Sequence, residues 1–230
     1  MKGMAWVLAG VALIAAAPLV PAQERTGPNL AAERGGVPGG VAQLALAQEL
    51  FAVGTARKDP VAVLAAARLA SGVVLRDMAP AKVTGPIEGL AFAETGAGRE
   101  ASFAPRAMLN TARQLAGNDE AVLTLVERAE AEALDGSVTA ARAASVLGAG
   151  QQDVWTLPFF GGNLAEIAVL GDGDSDLDLR ISDQNGTTIC ANSSTGDTDY
   201  CNWVPAWNGY FTVSVANLGP LQNSYVLLSN

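Results

Sequence analysis

The chain has 230 residues, half of them hydrophobic, with 14 basic and 23 acidic side chains and no histidine. The missing imidazole excludes Ser-His-Asp and Cys-His nucleophile activation, and histidine-ligated zinc with them. Charge is unevenly shared: residues 23–150 hold 14 acids and 12 bases, whereas residues 151–230 hold nine acids against the single base Arg180. Such an acidic half repels nucleic acid and anionic lipid and attracts cations, so nucleic acid is not an expected partner.

At the N-terminus Lys2 precedes an uncharged apolar run from Ala5 to Ala17, followed by Val20-Pro21-Ala22. This order of charge, apolar stretch and small residues predicts a secretory signal over 1–22, cut ahead of Gln23. The run is shorter than the ~20 residues that cross a bilayer, and Pro18 and Pro21 interrupt its end. The expected location is therefore periplasmic or secreted, with no stable membrane span after cleavage. Residues 23–40 carry Gly27-Pro28, Gly35-Gly36 and Pro38-Gly39-Gly40 and are expected to form a flexible tether.

From Val41 the composition shifts to alanine and leucine. Leu44, Ala47, Phe51 and Gly54 recur at helical spacing, and Asp59-Pro60 offers an N-cap and a proline at the first helical position of a second helix bearing Val61, Leu64 and Leu69. Glycines and prolines over 79–104 predict a loop. Helical spacing returns with Met108, Leu109, Ala112 and Leu115, and Asn118 is placed to cap a fourth helix carrying Val122, Leu123 and Val126. The expectation is a helical domain over 41–147 built as two antiparallel hairpins, a small bundle.

Past Gly148–Gln151 the period becomes two. Trp155, Leu157 and Phe159 alternate, as do Ala165, Ile167 and Val169, then Leu177, Leu179 and Ile181, then Phe211, Val213 and Val215. Turn residues at Gly161-Gly162, Asn185-Gly186 and Asn208-Gly209 separate them, which predicts an antiparallel β-sandwich over 151–230. The fold class is thus multidomain α + β, a helical bundle followed by a sandwich. Cys190 and Cys201 are the only cysteines, and in an oxidising compartment such a pair at short separation predicts a disulfide.

Several strings in this half are distinctive. Gly171-Asp172-Gly173-Asp174-Ser175-Asp176-Leu177-Asp178-Leu179-Arg180-Ile181 leads into Asp183-Gln184-Asn185-Gly186, and Asn208-Gly209-Tyr210-Phe211-Thr212-Val213-Ser214-Val215 follows at a distance, with Ser224-Tyr225-Val226-Leu227 closing the chain. Residues 151–230 resemble the bacterial pre-peptidase C-terminal domain, a small sandwich at the ends of many secreted proteins. The resemblance implies an accessory module, with relatives associated with binding surfaces or calcium. No recognisable peptidase domain precedes it here.

The acid string has its own chemistry. Asp172, Asp174 and Asp176 stand at alternate positions and Asp178 beyond them, an oxygen-only set suited to a hard cation such as Ca²⁺. Leu177 stands where an EF-hand loop requires glycine, so the string is not one. Two readings stand: a calcium site, or a solvated turn whose charge blocks edge pairing. Trp155, Trp203 and Trp207 either fill the core or face a ligand; Trp207, in a loop, is the candidate ligand contact. Glycoside hydrolysis needs only two carboxylates, so a carboxylate-dependent secreted hydrolase, or an accessory subunit of a secreted peptidase, is the alternative. The main expectation is a non-catalytic exported binding protein, its partner an unknown protein or extracellular polymer.

Overall fold

The computed structural model describes residues 25–32, 36–90, 104–132, 136, 138–173 and 175–230. The signal segment, most of the second half of the expected 79–104 loop, and Asp174 lie outside the described residues.

Among the described residues, four helices precede the sandwich segment: α1 Gly40–Arg57, α2 Pro60–Ser71, α3 Pro105–Ala116 and α4 Glu120–Ala131. Asp59 caps α2 as its sequence predicts, its Oδ1 accepting from the N–H groups of Val61 and Ala62 at 3.0 and 3.1 Å. The cap of α4 is Asp119 rather than Asn118, its carboxylate accepting from Ala121 and Val122. A carboxylate at that position also complements the positive end of the helix dipole, which the Asn118 amide does not.

Ten strands among the described residues form two five-stranded sheets. The first, in spatial order, contains β1 Val73–Asp77, β3 Val138–Leu147, β10 Asn223–Ser229, β5 Ala165–Leu170 and β8 Thr198–Trp203. The second contains β2 Ala81–Pro86, β4 Gln151–Phe159, β9 Gly209–Asn217, β6 Leu177–Ser182 and β7 Thr188–Asn192. All pairings are antiparallel except that of β1 with β3. The molecule is therefore a helical part on a β-sandwich, as the change of period predicts.

Strand pairing starts well before the expected boundary at 151. β1 and β2 leave the helical segment between α2 and α3 and supply one edge strand to each sheet, and β2 occupies part of the segment expected as a loop. The helices lie on the outer face of the first sheet. Ala140, Ala168, Leu170, Val226 and Leu228 join their core, while Leu147, Ile167, Val169, Tyr225 and Leu227 face the second sheet. A sheet covered on both sides reads as continuous apolar sequence, which is why every residue of β5 is buried. No helix among the described residues is long and apolar enough to cross a membrane.

The expected tether is laid against the protein. Ala31 N–H donates to the Val204 carbonyl at 2.8 Å, Gly39 N–H to Glu166 at 2.9 Å, and Asn29 is fully buried. Glycine and proline there shape a strap whose main-chain groups find partners on the sandwich.

Candidate cation and ligand sites at the two ends of the sandwich

Strand ends divide the sandwich into two poles of different chemistry. At one pole lie the β5–β6, β7–β8 and β9–β10 loops; at the other, the β4–β5, β6–β7 and β8–β9 loops and the N-terminal strap.

The first pole is acidic. In the β5–β6 loop, Asp172 Oδ2 accepts from the Ser224 N–H at 2.9 Å. Asp178 feels the charge of Asp176, and Asp199, on β8 of the facing sheet, feels the charges of both. Asp199 points into the sandwich, 1% exposed, and accepts from the Leu179 N–H at 3.0 Å and the Ser194 hydroxyl at 3.1 Å. Burial pushes its carboxyl up to about 7, against those two bonds, with the charges of Asp178 and Asp176 adding to the rise. Burial and the Asp176 charge likewise raise Asp178. None of the four ion pairs among the described residues involves these three acids. Asp176 Oδ1 and Asn223 Oδ1 are buried acceptors without a hydrogen-bond partner.

Asp197 forms the floor of this pole. Its carboxylate accepts from the Gly173 N–H, and from Asn223 Nδ2 at 2.7 Å. It lies where a side chain on residue 171 would project, so a substitution there would displace the Asp197 carboxylate. Asp197 and Asp199 are the residues that a reading of the acid string omits. They stand in a different strand and loop, and no local spacing marks them. Among the described residues, which exclude Asp174, no three carboxylates or thiolates are close enough together to enclose an ion.

The second pole is built from amides and aromatics. A cleft of about 790 Å³ is lined by Arg25, Gln184, Asn185, Trp207, Asn208 and Tyr210 among others. The candidate Trp207 is half-buried here, with the Arg25 guanidinium 5.5 Å from its ring centroid. Its companions Trp155 and Trp203 are 4% and 2% exposed and belong to the core, where Trp203 packs edge-on against Phe159 at 4.8 Å. Tyr210 is 64% exposed and Phe160 69%, the two exposed aromatics among the described residues. The Trp207 loop rests on Gly161, where a Cβ would lie 2.5 Å from the Trp207 Cα, so a side chain at 161 would lift the loop.

Between the poles, two devices join the sheets at their opposite edges. Cys190 on β7 and Cys201 on β8 form a disulfide with their Cα atoms 6.2 Å apart, as the pairing of cysteines predicts. Near the β1–β2 edge, fully buried Asp153 accepts from the hydroxyls of Ser145 and Tyr225, both at 2.6 Å, from Thr84, and from Lys82 at 3.1 Å. Trp155 Nε1 donates to the Tyr225 hydroxyl at 2.8 Å. Burial by itself would raise the Asp153 carboxyl, but these four donors outweigh it and hold it below its usual range. Burial and the bond to Asp153 drive the Tyr225 hydroxyl strongly upward.

No family model and no curated protein matches this sequence. Among solved structures, the chain is similar to the pre-peptidase C-terminal domain of a collagenase from Bacillus anthracis, at 14% identity over 39% of this chain and 87% of that one, with a TM-score of 0.32. It is the family that residues 151–230 resemble in sequence. It is also similar to a periplasmic inhibitor of g-type lysozyme from Aeromonas hydrophila, at 14% identity over 40% of this chain and 86% of the other, TM-score 0.29. A carbohydrate-binding module in complex with calcium and xylotriose matches 38% of this chain and 87% of its own at 15% identity, TM-score 0.24.

Proposed function

We propose that this chain is an exported, non-catalytic accessory protein. Its helices serve as an interaction scaffold, and its sandwich is stabilised by a calcium ion at the acidic pole. The ligands are drawn from Asp172, Asp174, Asp176 and Asp178, with Asp199 supplying buried negative charge beneath them. The observation that supports this reading is the Asp176 carboxylate, one oxygen of which is buried without a donor, its charge felt by two further acids, with no ion pair to any of the three among the described residues.

Uncompensated buried charge is costly, and burial of a polar atom without a bond adds about 1–3 kcal/mol. A hard divalent cation removes both penalties at once, since carboxylate and amide oxygens are the ligands it selects. The donor set at this pole is entirely oxygen. The disulfide across the open edge fits an oxidising compartment.

Calorimetric melting in calcium and in chelator tests the reading. The expected result is a transition several degrees higher in calcium, with the difference removed by Asp174→Asn combined with Asp176→Asn. Coincident transitions in the two conditions would count against a calcium site.

A further inference from the structure

The geometry points to a second site, at the pole opposite the acids: the Trp207–Tyr210 cleft takes a neutral polysaccharide, with a sugar ring seated on the aromatic faces. It does not depend on the cation reading, because the two poles lie at opposite strand ends.

Three amides line the cleft, and each is anchored at one end by the protein. Gln184 Oε1 accepts from Asn29, Asn185 Nδ2 donates to the Gly27 carbonyl at 3.0 Å, and Asn208 Oδ1 accepts from the Gly161 N–H at 2.8 Å. The remaining Gln184 NH₂, Asn185 carbonyl and Asn208 NH₂ form no bond among the described residues. The cleft thus offers two donors and one acceptor on side chains already held in place. Sugar hydroxyls both donate and accept, so they match a mixed amide set, whereas a purely anionic or cationic ligand would leave part of it unpaired.

Charge supports the same occupant. The sandwich half carries nine acids against one base, yet among the described residues no carboxylate lines this cleft. Asp183, which precedes the lining residue Gln184, is 2% exposed and is consumed by the N–H groups of Asn29, Asn185 and Thr187. Arg25 lies over Trp207. A peptide is disfavoured by position: the cleft opens at the ends of β6 and β9, which are interior strands, so no free strand edge is offered for main-chain pairing. The exposed Tyr210 ring and the half-buried Trp207, beside amides already held in place, suit the apolar face of a pyranose.

The probes are the cellulose, xylan and chitin hexasaccharides, titrated into the exported chain by calorimetry and tryptophan fluorescence, in calcium and again in chelator. Polygalacturonate serves as an acidic comparison. The expected result is saturable binding of at least one neutral hexasaccharide in both conditions. Tyr210→Ala should weaken it about tenfold without moving the melting transition, because that ring is exposed. Trp207→Phe should weaken it and reduce the fluorescence response. Binding of polygalacturonate alone, neutral binding untouched by Tyr210→Ala, or no binding by any of these sugars would each overturn the inference. So would a selected peptide whose binding needs Tyr210 and that no sugar displaces.

Discussion

The Asn29 carboxamide pairs with both main-chain polar groups of Trp207, its Nδ2 donating to the carbonyl at 3.1 Å and its Oδ1 accepting the N–H at 3.0 Å. One buried side chain thus does for the β8–β9 loop what a neighbouring strand does for a strand, and it fastens the N-terminal strap to the cleft wall. Truncation removes both bonds and leaves two main-chain groups to find water. Asn29→Ala is expected to cost about 2–3 kcal/mol. It should also accelerate proteolysis within residues 25–36, measured by limited digestion against the parent chain. Unchanged digestion would show that the strap is held by its other bonds, such as that from Ala31 to Val204.

The Cys190–Cys201 bridge closes the edge where β7 and β8, from different sheets, lie side by side without a ladder between them. A ring of this size is expected to stabilise the fold by about 2–3 kcal/mol through the unfolded state. Replacing both cysteines by alanine should lower the melting temperature by about 5–10 °C. Since Cys201 is buried and Cys190 only partly so, reduction with dithiothreitol should give a similar shift once the bridge is opened.

Much of the sandwich is legible in the sequence because its strands bury one face. Trp155, Leu157 and Phe159 alternate for that reason, and all three are in the core. Strands outside that rule are hidden. β2 is exposed or half-exposed along its whole length and ends at Gly85-Pro86, so it carries no period and ends in loop residues. β3 contains Ala140, Ala141, Ala143 and Ala144, good helix formers, and becomes a strand through pairing on both sides, where small side chains admit the helices. The acidic pole was half legible. The string from Asp172 to Asp178 is local, but Asp199 reaches Leu179 across 20 residues, and only the fold brings it there.

Asp199 also permits a test that separates charge from shape. Its carboxylate is desolvated beside two like charges, whereas an asparagine can still accept from the Leu179 N–H. In chelator, Asp199→Asn is therefore expected to raise stability by about 1 kcal/mol, a shift of about 2–4 °C. In calcium the same substitution should reduce the stabilisation that the ion confers. A lower melting temperature in chelator would mean that the ionised carboxylate supports the fold without any cation.

The opposite sign is expected at Asp153, where buried charge is fully met by donors. Its folded carboxyl lies below the ordinary value, which is about 3.9 for an unfolded aspartate. The bonds from Lys82, Ser145, Thr84 and Tyr225 thus contribute stability that is complete above about pH 4 and is lost as pH falls through the depressed folded value. Asp153→Asn should remove that acid-side dependence and cost about 2–3 kcal/mol at neutral pH, because the amide NH₂ meets donors where the carboxylate accepted them. Tyr225→Phe should cost less, about 1–2 kcal/mol, while leaving Trp155 Nε1 without its acceptor. Melting curves of the three proteins between about pH 2 and 7 check both statements. If the Asp153→Asn curve runs parallel to the parent's below pH 4, the acid-side loss arises elsewhere and the network contributes through packing alone.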